Sequence, residues 1–298
     1  MWHKGRDPLE KPRPSFTQAQ RWPYVRDSMS RMKPSRCLLL LLAAFVLRPA
    51  GAADLTVNLR SRVEAFKGSG DWRAVSLEQS LPVEKTAVLI CDMWNKHWCS
   101  GATERVNGLV VKMAPFLESA RKRGIQIIHA PSETMPFYRD TPQRKRILAL
   151  PKVEPPLPLN LFDPPLPIDD KRGGCDTPDQ FYKAWTREHP GLRIDASDVI
   201  SDNGTEIYSF LRERGIRTLL VMGVHTNMCV LNRTFAIKRM TALGIRCILV
   251  RDLTDAMYNP EDPPHVSHDA GTQLVVEYIE KYWCPTTISA DLLHAFAH

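Results

Sequence analysis

The chain predicts an α/β protein, a Rossmann-like three-layer sandwich whose mostly parallel sheet is covered by helices on both faces. One observation and one rule of chain connection predict it. From Lys85 onward, short β-branched apolar runs alternate with amphipathic stretches of helical period. Strands that alternate with helices of this length need right-handed crossovers, which lay the helices on the sheet faces.

The elements follow in order. TAVLICD (86–92) reads as a buried strand, and Asn107 to Arg123 as a helix with Leu109, Met113, Phe116, Leu117 and Ala120 on one face. Gly124 stops that helix, and Pro115 predicts a kink or a late start. IQIIHA (125–130) is the next strand. Thr205 to Arg214 is a short helix ending at Gly215, followed by the strand TLLVMGV (218–224). Asn227 to Leu243 reads as one helix stopped by Gly244. IRCILV (245–250), a helix from Gln273 to Tyr282 and a short run TTIS (286–289) complete the pattern. Residues 131–196 break the rhythm, because twelve of the 24 prolines fall there. Such a segment forms neither a regular helix nor a central strand. It follows a strand's C-terminal end, where open α/β sheets bind ligands, so it is either a pocket wall or lid, or a surface excursion.

Composition narrows the function classes. With 298 residues, 43% hydrophobic content and seven tryptophans, the chain can bury a sizeable core. The net charge of +7 resides wholly in residues 1–53, and the body is neutral, which argues against a nucleic-acid partner. The run CLLLLLAAFVL (37–47) follows Lys33 and Arg36 and precedes Ala50-Gly51-Ala52. It is too short to span a bilayer, which takes roughly 20 apolar residues, and has the order of a secretory signal peptide. Residues 1–31 are then a misassigned start or a disordered extension, 32–53 a signal peptide, and 54–298 a single domain. The expected mature protein is exported, starts at Ala53 or Asp54, and keeps no stable membrane anchor. Its six cysteines are irregularly spaced and fix neither pairing nor a zinc site.

The chemistry concentrates in Leu219-Leu220-Val221-Met222-Gly223-Val224-His225-Thr226-Asn227-Met228-Cys229-Val230. A hydrophobic strand enters a tight turn, and a helix opens near Asn227. Cys229 in the first helical turn would meet unpaired N–H groups and the positive end of the helix dipole. That environment predicts a depressed thiol pKa and donors for an oxyanion. Asp92, directly after five apolar residues, belongs at the same sheet edge. It is placed to exchange a proton with a thiol or leaving amine, or else to cap the turn.

Asp92 after an apolar strand, combined with G-V-x-T-x-x-C-V before a helix, resembles the isochorismatase-like cysteine hydrolases, which include nicotinamidases, N-carbamoylsarcosine amidohydrolases and isochorismatases. The resemblance spans residues 85–290. It implies a six-stranded, mostly parallel sheet, frequent homo-oligomers and a catalytic Asp, Lys and Cys. It makes Cys229 the nucleophile and Asp92 the proton shuttle. The N–H groups of His225 and Cys229 would form the oxyanion hole, with a cis Val224–His225 peptide. The sequence departs from the pattern at the lysine: DVISDNGT (198–205) stands where the family carries it, with acidic Asp202 near the position. Lys96, in the loop after Asp92, is the nearest replacement, and an arginine could serve as well. His97, His129 and Glu133 could together hold a divalent metal, although a strand-end histidine is more often a satisfied polar residue, and neither metal nor cofactor is expected. Trp94, His97, His129, Thr226 and Asn227 are candidates for the substrate pocket, with Trp98, Phe137 and Tyr138 as further aromatic lining. Asp252 and Asp255 either orient a substrate or cap a turn. The expected function is an exported cysteine-dependent hydrolase of a small-molecule amide or ureido C–N bond. The alternative is an altered or inactive binding protein of the same fold.

Overall fold

The computed structural model describes residues 54–297, so the expectations for residues 1–53 lie outside the described residues. The elements are β1 (Leu55–Glu64), β2 (Trp72–Leu81), β3 (Thr86–Cys91), α1 (Ser100–Lys122), β4 (Gln126–Ala130), α2 (Met135–Tyr138), α3 (Pro142–Leu148), β5 (Val199–Ile200), α4 (Gly204–Glu213), β6 (Thr218–Val224), α5 (Cys229–Asn232), α6 (Ile237–Ala242), β7 (Arg246–Asp255), α7 (His268–Tyr282), β8 (Thr286–Thr287) and α8 (Ser289–Ala297).

The sheet has eight strands in the order β2-β1-β8-β7-β6-β3-β4-β5, not the six that the resemblance implied. The run β8-β7-β6-β3-β4-β5 is parallel throughout. The β1–β2 hairpin adds two antiparallel strands at the β8 edge. Its alternation is legible: Leu55, Val57 and Leu59 are buried while Thr56 and Asn58 are exposed, the period of a half-covered strand.

Successive residues of the central strands supply opposite faces, which gives two cores. Ala87, Leu89, Cys91, Leu219, Val221 and Leu249 pack under α4, α6 and α7. Val88, Ile90, Leu220, Met222, Ile248 and Val250 pack under α1 and α8. The three layers are those expected.

Some elements differ from the periodicity: α7 begins five residues before Gln273 and β7 runs on to Asp255. α1 begins seven residues before Asn107, because Asp179, distant in sequence, caps it by accepting from the Ser100 N–H at 2.7 Å and from its hydroxyl. The stretch from Asn227 to Leu243 is two short helices, not one. The chain turns extended at Arg233, where Thr234 leaves the helix to accept a hydrogen bond from Gly204 N–H at 3.1 Å. Pro115 sits inside α1 without ending it.

Candidate active site

The geometry of the site begins with sheet register. β3 and β6 are parallel neighbours with Cys91 opposite Gly223, so the residue after β3, Asp92, comes level with the turn after β6. Gly223 has φ 113°, and a Cβ there would lie 2.0 Å from the Cys91 carbonyl oxygen, so only glycine fits. The Val224–His225 peptide is cis.

The turn is stapled to the end of β7. Thr226 N–H donates to Asp255 C=O at 2.9 Å, and its hydroxyl meets Thr254 at 2.7 Å. Asn227 accepts from Met257 N–H at 2.8 Å and donates back to Met257 C=O at 3.1 Å. Met228 and Val230 N–H both reach the His225 carbonyl, which starts α5 at Cys229. As the first residue of that helix, Cys229 has an N–H with no intrahelical acceptor by position.

Asp92 is fully buried and adopts φ 47°, a left-handed conformation that Asp tolerates. One carboxylate oxygen accepts from Ser132 N–H at 2.7 Å. The other accepts from Arg233 Nε at 2.9 Å. Arg233 N–H closes α5 on the Cys229 carbonyl at 3.1 Å, so the two residues are one helical turn apart and share a face. The Cys229 thiol and the Asp92 carboxylate are close enough to act on one another electrostatically. Burial raises the Asp92 pKa against the opposing pull of Arg233 and Ser132.

The thiol departs from expectation. Burial, then the charge of Asp92, push the Cys229 pKa above its ordinary value, with Arg233 opposing. A four-residue helix is too short to outweigh them. Burial and the Asp92 charge thus favour the thiol over a preformed thiolate.

Lys96 does not replace the family lysine. It is exposed, with its ammonium 5.7 Å from the Tyr182 ring, and it lines a different cavity from Cys229. The cation at Asp92 is Arg233, which sequence reasoning missed as an individual residue. Its signal was the i, i+4 spacing from Cys229 in C-V-L-N-R. Asp202, near the family lysine's position, accepts from Glu133 N–H at 2.8 Å.

His129 is not at the pocket. Its ring lies between Glu188, at 2.7 Å, and Asp198, at 3.1 Å. Burial opposes its charge, but the two carboxylates outweigh it and raise the pKa to about 9. Among the described residues it does not come together with His97 and Glu133 as a group able to hold a metal. Among the described residues the one group with metal-ligand proximity is Cys99, Cys175 and Asp179, and those cysteines are joined as a disulfide.

Trp94 stacks on Trp185 with centroids 4.4 Å apart and donates its indole N–H to Ser132 C=O at 3.1 Å. His97 lies 4.9 Å from the His225 ring, edge to face. Burial keeps both neutral, lowering His97 to about 4 and His225 to about 3. Phe137 is exposed, whereas Tyr138 is buried and receives Glu188 N–H at its hydroxyl. Asp252 caps α8 through Ser289, and Asp255 binds Arg105 and His268, so both hold structure.

The Pro-rich segment supplies part of the site wall. A cavity of about 580 Å³ opens at Cys229 between Leu166 and Asp170 of that segment and Asn227, Asn232 and Arg233 of the turn. The segment is tied down by the Cys99–Cys175 disulfide, the Trp94–Trp185 stack and a bridge between Trp94 and Glu188.

The family model of the isochorismatase domain matches residues 86–270. Among solved structures, the chain is similar to a cysteine hydrolase from Pseudomonas syringae pv. phaseolicola 1448A, with 20% identity, TM-score 0.47, and coverage of 72% of this chain and 93% of that one. It is also similar to an isochorismatase from Pseudomonas putida KT2440 (18% identity, TM-score 0.43, 70% and 91% covered). An N-carbamoylsarcosine amidase from Thermoplasma acidophilum gives 16% identity, TM-score 0.36, and coverage of 69% and 96%.

Proposed function

Since the chain belongs to the isochorismatase family, we propose that it is a cysteine-dependent hydrolase of a small-molecule amide or ureido C–N bond. The observation that carries this reading is the buried Asp92 carboxylate, bonded to Arg233 Nε at 2.9 Å and acting electrostatically on Cys229, which opens the helix of the neighbouring turn. Each group then has one role. Asp92 takes the thiol proton as Sγ attacks the carbonyl carbon, and the S–C bond forms. The carbonyl oxygen gains the negative charge and is received by the N–H groups of His225 and Cys229. As the C–N bond breaks, Asp92 passes its proton to the leaving nitrogen. Water, deprotonated by Asp92, then cleaves the thioester and restores the thiol. Arg233 keeps Asp92 oriented and ionised between these transfers. An arginine stays charged throughout, so in this reading every proton moves through Asp92.

Two features support proposing that the protein works outside the cytoplasm. One is the signal-like leader, and the other is the Cys99–Cys175 disulfide, a bond typical of oxidising compartments. Material recovered from an exporting host should start at Ala53 or Asp54, and an intact Met1 there would refute the proposal.

The direct test is a panel of small primary amides and ureido compounds with mass analysis of the stopped reaction. An acyl adduct on Cys229, lost together with turnover in Cys229→Ala, is the expected result. Turnover that survives Cys229→Ala rules out this nucleophile.

A further inference from the structure

The charges around the Cys229 cavity are unequally matched. Arg233 is engaged by Asp92 at 2.9 Å and faces Glu133 at 3.8 Å. Asp170, on the opposite wall, has no such match. One of its carboxylate oxygens accepts from Asn227 Nδ2 at 2.9 Å. Its basic neighbours are turned elsewhere: Lys171 pairs with Asp169 at 3.7 Å, and Arg172 Nε donates to Asp262 at 2.7 Å. Among the described residues no lysine or arginine forms an ion pair with Asp170. The carboxylate is also held in place, because its partner Asn227 is clamped by both backbone groups of Met257. A fixed, uncompensated carboxylate at the mouth of a cavity containing a nucleophile attracts a cation that can donate hydrogen bonds to it.

We infer that Asp170 is a specificity-determining residue that receives an ammonium or guanidinium group, so that the site selects amides carrying a positive charge near the scissile carbonyl. This rests on Cys229 being the nucleophile of the same cavity. Asn227 couples the two parts. It stands two residues before Cys229, so Asp170 and the thiol are positioned by one rigid turn. The Pro-rich segment contributes the selecting group, and the sheet edge contributes the reacting one.

The test uses alkylation of Cys229 in the full chain, with bromoethylamine as the cationic probe and iodoacetamide as the neutral one. Among the described residues the other free cysteines, Cys91, Cys247 and Cys284, are buried, and peptide mass analysis assigns the adduct. Asp170→Asn should lower the ratio of cationic to neutral labelling rates by about 5- to 10-fold. Asp170→Glu, which keeps the charge, should largely restore the ratio. In the unmodified protein, raising salt from low concentration to about 0.5 M should reduce the same ratio, a readout independent of any variant's folding. Labelling of Cys229 with a ratio that ignores both the substitution and salt overturns the assignment of Asp170 and leaves the nucleophile intact. Failure of both probes to label Cys229 overturns the underlying reading as well.

Discussion

Replacing Asp92 by Asn should make Cys229 label faster and turn over substrate more slowly. The amide has the same shape as the carboxylate but a single acceptor oxygen, so it can keep the bond from Ser132 N–H at 2.7 Å while its NH2 faces Arg233 Nε, which loses its acceptor. What disappears is a negative charge near the sulfur, which together with burial raises the thiol pKa. Two unit charges about 4 Å apart at an effective dielectric near 20 interact by ~4 kcal/mol. Solvent entering the open side of the cavity reduces this to about 1.4–2.8 kcal/mol, or roughly 10- to 100-fold in thiolate fraction at fixed pH. Arg233, left without its counter-charge, acts in the same direction. The assay is the rate of iodoacetamide labelling at Cys229 from pH 6 to 10, read by peptide mass analysis. The unmodified protein should show a midpoint above about 8.5, the free-cysteine value. Asp92→Asn should shift it downward, while hydrolysis drops by about 100-fold or more because no group accepts and returns the proton. A midpoint that stays put or rises in Asp92→Asn would mean that carboxylate and thiol are not coupled, and the proton transfer from Cys229 to Asp92 would fail.

Other outcomes follow from the same geometry. Arg233→Ala should reduce turnover by at least about 100-fold, since it leaves Asp92 buried without its counter-charge; Arg233→Lys should recover part of it, and full activity in Arg233→Ala would remove the arginine from the mechanism. His129, raised to about 9 between Glu188 and Asp198, contributes stability that is complete below about pH 6.5 and is lost as pH climbs through about 9. Chemical denaturation should therefore show a loss of about 3 kcal/mol across that window, and His129→Gln should flatten it. The Cys99–Cys175 disulfide closes a sequence separation of 76 residues, so replacing both cysteines by Ala should cost up to about 4 kcal/mol, measured by denaturation with and without reductant. Gly223→Ala should yield little folded protein, because its Cβ has no space beside Cys91.

Much of this protein was legible in local sequence. The run TLLVMGV gave β6 at its observed bounds, Thr218–Val224, because an uninterrupted apolar strand buried on both faces leaves no ambiguity of period. The placement of Asp92 and Cys229 at one sheet edge was legible for a related reason. Each follows such a strand directly, and parallel strands of a common register deliver their C-terminal ends to one edge. The β1–β2 hairpin had the alternation to be found, but no helix follows it, so a search for βα rhythm passes over it.

Tertiary structure decided the rest, wherever the partner lay far along the chain. The start of α1 depends on Asp179, and the break after α5 on Gly204. The pairing of Cys99 with Cys175 depends on how the Pro-rich segment returns across the site. The identity of the cation was decided the same way. Lys96 is nearer to Asp92 in sequence, but its loop carries it out to Tyr182, whereas one turn of α5 brings Arg233 back across from β6 to β3. The thiol's pKa changed direction for the same reason. Position in a helix is local and favoured the anion, but burial and the charge of Asp92 come from the packed sheet, and at close range they outweigh it.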